Sequence, residues 1–432
     1  MSIRVTMEQP VVVDVAPVNE STKKWGVCAI PRMWKLPDGS FILRVNGEQD
    51  TCFADKYHQA PNQYYRSEDN GTTWQHLPGG ESEVDMSVVT GTEPIYCKLK
   101  NGRYATIRWA HAPEEIRGAV PTKTFPCPSL ETINHGYRVT DLAYSSIPLE
   151  FALYNQNGVP EEAVPMTLDM PQLEVCVNCG AQYRAGKSIE VSEHRPVPEK
   201  LHTGYAPTYG VVELADGTLL GTAWGQNPAI EDKSYGVVYL TSSVDGGRTW
   251  TIRAEVGVID PELDFGYTSE NSLAIAPDGS LLMVMRTEHC VPKEVEHMTG
   301  TMYSRSTDNG FSWTKPVAIT DSSVTPHLIT LDNGVIAFVY GRPGVHVRYS
   351  TDNGSTWSEP HTVIGKTLEQ FTAEGVEYMD CKYWLQDSYC NTFMYPVSED
   401  TVLLCYNDMK YDPGDGLEHR ASLVRKIRFE KE

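Results

Sequence analysis

Four copies of one eight-residue pattern recur along the chain, and they restrict its fold more than any other feature. They are Ser67–Trp74, Ser243–Trp250, Ser306–Trp313 and Ser350–Trp357, and all obey the template S-x-D-x-G-x-x-W. Ser and Asp oxygens accept hydrogen bonds from turn amides, and Gly admits a positive φ. Trp supplies a large apolar plug that seats the turn on a sheet. One copy could arise by chance. Four with identical spacing mark a repeated hairpin, hence a repeated sheet.

A second periodic signal runs alongside. Asp38-Gly39, Asn101-Gly102, Asp216-Gly217, Asp278-Gly279 and Asn333-Gly334 each sit between two short apolar runs, the mark of a tight Asx-Gly hairpin. A degenerate sixth stands at Asp400-Thr401, before Val402–Tyr406. Successive gaps are 63, 115, 62, 55 and 67 residues, and the long one fits a single repeat enlarged by roughly 50 residues. Seven residues before each turn stand Pro31, Pro94, Tyr209, Asn271, Pro326 and Phe393. Three prolines there suit the start of an innermost strand, where no ladder amide is needed. The expected fold is all-β: a single six-bladed β-propeller over 1–432, built from four-stranded antiparallel blades A to D. The enlargement is expected in blade 2 at about 110–200, where Cys176-Val-Asn-Cys179 is a weak metal signal without a second pair. The run Val11–Val13 is expected to add an outer strand to the last blade.

The net charge of −21 argues against nucleic-acid and anionic-membrane partners, so an anionic ligand must meet a local basic pocket. No apolar run approaches a membrane span, and the first ten residues do not read as a signal peptide. Ten cysteines scattered without framework spacing suit a reducing compartment, so a cytoplasmic location is expected, although a mature form trimmed of its leader would read the same. No metal or cofactor is expected.

Antiparallel alternation sorts residues by face. The A–B and C–D turns share one face of the disk, while A-strand starts and B–C loops share the other, at the mouth of the central channel. Before or at A strands stand Arg32, Glu93, Glu270 and His327, with Asp387, Ser388 and Tyr389 ahead of blade 6. After B strands stand Asp50, Asp55, Arg108, His111, Trp224, Arg286, Glu288, His289 and Arg342. Arg108, Arg286 and Arg342 lie seven, eight and nine residues past their turns. Guanidinium forks converging on a concave mouth suit a carboxylate ligand; singly, each could as well tie a loop to an acidic neighbour.

The repeated octapeptide resembles the Asp box of sialidase-type β-propellers. The resemblance becomes residue-specific at Ser269–Arg286, similar to that family's blade 4, where a Glu ahead of strand A is followed by an Arg of the carboxylate-binding triad. It implies Glu270 and Arg286 in those roles, Arg342 as a second triad member and Tyr389 as the nucleophile. Asp55 or Asp50, in the B–C loop of blade 1, is implied as acid/base. Arg32, Arg108, Glu93 and Trp224 complete the expected substrate-binding set. A tertiary anomeric carbon carrying a carboxylate would repel a carboxylate nucleophile. A tyrosine avoids this, with Glu270 taking its proton and an Asp protonating the leaving group, with retention.

The chain departs from the family at Ala29, where the first triad arginine belongs, and Arg32 lies three residues away, on the opposite strand face by simple alternation. Glu93, eight residues before its turn as Glu270 is before its own, is an acid the family pattern does not explain. The leading expectation is a retaining exo-glycosidase of terminal acidic sugars, an exo-α-sialidase first. The alternatives are a hydrolase or lyase of uronate-containing glycans, the latter using Tyr and His near the mouth, and a non-catalytic glycan-binding propeller.

Overall fold

The computed structural model describes residues 2–16, 18–19, 24–25, 29–36, 38–46, 62–84, 97–109, 123–127, 132–138, 149–156, 159–169, 174–178, 211–226, 236–257, 267–288, 300–321, 324–375 and 389–432, some by backbone alone. They form the six antiparallel blades of a propeller. Blade 1 is Ala29–Lys35, Phe41–Asn46, Gln63–Ser67 and Gln75–His76; blade 4 is Tyr267–Ile275, Leu281–Glu288, Thr301–Ser306 and Val317–Ala318. Blade 5 is Val324–Thr330, Ile336–Gly341, Val345–Ser350 and His361–Ile364. Blade 6 has Tyr389–Pro396, Thr401–Tyr411 and His419–Lys431 as its inner three strands. Its outer edge comes from the other end of the chain: both Ile3–Met7 and Val11–Val15 pair with His419–Lys431. The ring is therefore closed by sheet hydrogen bonds between the two termini.

Blade 2 contains Cys97–Lys98, Tyr104–Trp109, Leu149–Tyr154 and Pro160–Pro165. The last two lie inside the stretch expected as an insertion, so the additional chain is divided around them. Before them stands the hairpin Lys123–Cys127 with Thr132–Arg138, and after them Glu174–Asn178 pairs with that hairpin. Blade 3 is Val212–Glu213, Leu219–Gln226, Gly236–Ser243 and Thr249–Glu255, and the added sheet meets its second strand through Glu174 and Gln226. Blade 2 has no octapeptide; its C–D turn is held instead by Asn155, whose Oδ1 accepts from the Val159 amide at 2.9 Å.

The apolar core is divided into layers between consecutive blades. Leu220, Val238 and Leu240 of blade 3 meet Leu273, Met283 and Met285 of blade 4. Leu282 and Val284, on the other face of blade 4, meet Phe338 and Tyr340 of blade 5. Strand alternation supplies one face to each layer. Further layers join blades 5 and 6 and blades 6 and 1.

The octapeptide turns are built alike. In each, the Ser hydroxyl donates to the Asp carboxylate at 2.7–2.9 Å and accepts the Gly amide at 2.8–2.9 Å. The same Asp oxygen accepts the amide four residues on at 2.8–2.9 Å. Backbone amides, Thr73 foremost for Asp69 and Thr249 for Asp245, hold these carboxyls down to about 2. In three copies the Trp indole N–H donates to the Gly carbonyl, and Trp357 packs against Tyr303 and Phe338. A Cβ on each box glycine would meet the preceding blade: Gly71 meets Leu403, Gly247 meets Phe151, Gly310 meets Leu240, and Gly354 meets Tyr303 and Leu282. The turn of blade 4 also touches the octapeptide of blade 5, Asp278 N–H to Asn353 Oδ1 at 3.3 Å, which places A–B and C–D turns on one face.

Gly247→Ala combines left-handed strain with overlap of the Phe151 ring and should cost about 2–4 kcal/mol in denaturant unfolding. Gly217→Ala, at φ +87 with open space around it, should cost only about 1 kcal/mol. Asp245→Asn should destabilise the protein above the unfolded carboxyl value near 4 and converge on wild type as pH falls through about 2, because a depressed carboxyl stabilises only while ionised. Acid titration followed by circular dichroism reads this.

Candidate functional site

At the face opposite the octapeptides, the inner strands do not run in simple alternation. In blade 1 the four residues Ala29 to Arg32 oppose the three from Asn46 to Arg44. In blade 4 the ladder skips from Ser269 to Asn271, in blade 5 from Val324 to His327, and in blade 6 from Tyr389 to Phe393. The bulges of blades 1, 4 and 5 fall seven or eight residues before the Asx turn, and that of blade 6 lies eight to ten before Asp400. Bulges at a barrel or propeller rim re-aim side chains and increase the local twist.

Glu270 is itself the extra residue of the blade 4 bulge, with φ +27, and its counterpart eight residues before the blade 5 turn, Thr325, has φ +42. Residues other than Gly in this region cost about 1–3 kcal/mol each and persist where surrounding contacts impose them. The contacts here are specific. Arg286 Nη1 donates to Glu270 Oε1 at 2.9 Å, and the Thr325 backbone N–H donates to Glu270 Oε2 at 2.9 Å. One carboxylate thus ties the B strand of its own blade to the start of the A strand of the next. The side chains of Arg286 and Glu270 are 15% and 30% exposed, so the pair is largely shielded but open to the mouth. Arg342 follows the equivalent B strand of blade 5, is buried and also has a positive φ of 40.

The structure therefore brings Glu270 and Arg286 together and places Arg342 one blade on. Thr325 was missed by sequence reasoning, although its spacing from Asn333 equals that of Glu270 from Asp278. Arg32 requires a correction. The blade 1 bulge sets two residues, Ile30 and Pro31, against one, Val45, so position 32 regains the register parity of position 29 instead of taking the opposite one. His327 also requires one: it is buried, and its Nδ1 accepts the Met394 amide of blade 6 at 3.1 Å while Phe393 lies edge-on. Burial drives its pKa down to about 3, so it stays neutral, a pin between blades whose Nδ1 lone pair is already engaged.

Asp50, Asp55, Glu93, His111, His289, Asp387 and Ser388 lie outside the described residues. Arg108, Trp224, Glu288 and Tyr389 are described by backbone position alone: Arg108 pairs with Glu150, Trp224 with Val238, Glu288 with Tyr267 and Tyr389 with Asn407. Among the described residues no cluster of His, Cys, Asp and Glu could hold a metal, and no helix is long and apolar enough to cross a membrane. A channel of about 860 Å³ runs down the axis on the turn side, walled by inner strands including Ala274, Leu328 and Tyr395.

Residues 197–396 match the family described as BNR repeat-like domain, which spans the last three octapeptides. The chain is a propeller, and its residues 197–396 are BNR repeat-like. No curated protein matches it. Among solved structures this propeller is similar to a Dyadobacter fermentans protein of unknown function, at 17% identity over 98% of this chain and 99% of that one, with a TM-score of 0.55. More distant similarities are to an α-L-arabinanase of Penicillium chrysogenum (14% identity, 97% and 98% covered, TM-score 0.44) and to the NanB sialidase of Streptococcus pneumoniae (13%, 94% and 68%, 0.43). At 17% identity the likeness to the Dyadobacter fermentans protein shows the fold alone.

Glu270→Gln keeps an acceptor for Thr325 but uncouples Arg286, and should cost about 1.5–3 kcal/mol. Glu270→Ala should cost more and leave the Thr325 amide exchanging freely, which hydrogen exchange read by NMR resolves.

Proposed function

We propose that this propeller is a retaining glycoside hydrolase that removes terminal acidic sugars, sialic acid first. The observation that supports this most is the pairing of Arg286 with Glu270 beside a second shielded arginine, Arg342, at the equivalent strand end of the next blade. In an acidic body of net charge −21, arginines held at a concave mouth attract the carboxylate of an acidic sugar. Glu270 orients Arg286, and each of its oxygens keeps a second lone pair. In this reading Tyr389 Oη attacks the anomeric carbon while Glu270 accepts the phenolic proton, and Asp55, with Asp50 as its alternative, protonates the departing oxygen. The same Asp then deprotonates water, which releases the sugar with net retention. Arg32, Arg108, Glu93 and Trp224 line the substrate.

One observation favours a second reading. Ala29 occupies the place of the first triad arginine, and Arg32, which shares its register parity, pairs two positions nearer the Asx turn, so a smaller acidic sugar such as a uronate, needing fewer guanidinium contacts, suits the site as a hydrolase substrate. The lyase variant loses His327 as a proton carrier.

Fluorogenic aryl sialoside and aryl uronide separate these readings. Release of the sialoside should fall at least about a hundredfold in Tyr389→Phe and Glu270→Ala. Arg342→Lys, which keeps the charge but not the fork, should lose roughly ten- to a hundredfold in kcat/KM. Release that survives the Tyr389 and Glu270 changes would sink the site assignment. Uronide turnover without sialoside turnover promotes the second reading, and turnover of neither leaves a glycan-binding propeller.

A further inference from the structure

Blade 6 carries a buried histidine that the proposed chemistry does not use. His419 opens the C strand, directly after the B–C loop formed by residues 412–418, so it stands at the mouth end of the blade. Its Nδ1 lies 2.9 Å from the carbonyl oxygen of Ala16, at the end of the N-terminal strand that closes the ring. Its Nε2 lies 2.8 Å from Asp415 Oδ2 in the loop. Both neighbours are acceptors. A carbonyl cannot donate, and Asp415 is kept ionised by the Leu417 amide first and by His419 itself, its carboxyl lying below the usual range. A neutral imidazole has one N–H and one lone pair, so it can serve only one of the two oxygens and must set its lone pair against the other. Only the imidazolium donates to both.

We infer that His419 is a protonation-dependent latch on the mouth rim: charged, it ties loop 412–418 to the closing strand; neutral, it releases one of those bonds. The groups around the ring agree. The loop presents Asp415 and Asp412, the B strand its cross-strand partner Tyr411, and the closing strand the Ala16 carbonyl. The Ala16 contact first, then Asp415, raise the His419 pKa above its ordinary value. For a raised histidine the sign is fixed: the latch is fully present below the unfolded value near 6.5 and is lost as pH rises through the folded one. The loop itself is internally ordered at either pH, because Asp412 Oδ1 accepts the Gly414 and Gly416 amides. Its attachment changes, not its shape. The loop continues from the strand that pairs with Tyr389 through Asn407, so the latch sets how firmly the rim stands beside the proposed nucleophile, a consequence that rests on the glycosidase reading.

Hydrogen exchange of segment 412–418 in the full-length protein tests the latch without reference to turnover. After correction for intrinsic rates, wild type should exchange more slowly at about pH 5.5 than at about pH 8.5, by up to roughly tenfold for each unit separating the latched and released pKa values. In Asp415→Asn the midpoint should move to lower pH, and in His419→Gln the pH dependence of this segment should vanish. Uniform exchange across the range in wild type, or an unmoved midpoint in Asp415→Asn, would overturn the latch even if sialoside turnover is found. If His419→Gln fails to fold, Asp415→Asn decides alone.

Discussion

The architecture depends on a close approach. Each octapeptide glycine presses its bare Cα against a large side chain of the preceding blade, and its own carbonyl or the neighbouring seam receives the Trp of the same turn. The Ser and Asp of the motif hold the turn from within, so that a rigid loop, not a flexible one, meets the preceding sheet. A propeller has no central core, only layers between blades, and its stability is the sum of those layers. Turns that key one blade to the next therefore do more than end a hairpin: they set the angle at which the layers close. Where blade 2 lacks the motif, its Phe151 still receives the glycine of blade 3, so the key is kept on one side of that blade.

The opposite face is arranged by different means. There the inner strands bulge at one shared register, and two of the bulge residues, Glu270 and Thr325, hold left-handed backbone. The bonds of Glu270 to Arg286 and to the Thr325 amide accompany that strain, and the gain is a carboxylate joined to an arginine and to the backbone of the next blade. A regular ladder would present alternate side chains to the two neighbouring layers and none to the mouth. The bulge is what turns an inter-blade position toward the channel.

Much of this was legible in the residues. Asx-Gly turns and octapeptides carry local hydrogen bonds that read directly from spacing, so blade number and face assignment follow from them, and the apolar run Val11–Val13 marks the closing strand. The 115-residue gap hid blade 2's own outer strands, since a turn held by Asn155 has no signature beyond a single Asx. Bulges were the other limit. Counting alternation assumes one residue per position, and a single extra residue reverses the facing of all that precede it, which is why Arg32 was misassigned. His327 illustrates the same sensitivity, for one step separates a mouth residue from a buried pin. The Glu270–Arg286 pair was found because both members are fixed by distance from one turn.

The central claim is that the mouth at blades 4 and 5 is a carboxylate-recognising sugar site built on Arg286 and Arg342. Calorimetric titration with an unsaturated sialic acid analogue, beside the same compound with its carboxylate converted to a carboxamide, tests it most directly. The account predicts at least about a tenfold weaker affinity for the carboxamide, or about 1.4 kcal/mol, with the difference shrinking as salt is raised. Equal binding of the two compounds, or binding of neither, would contradict it.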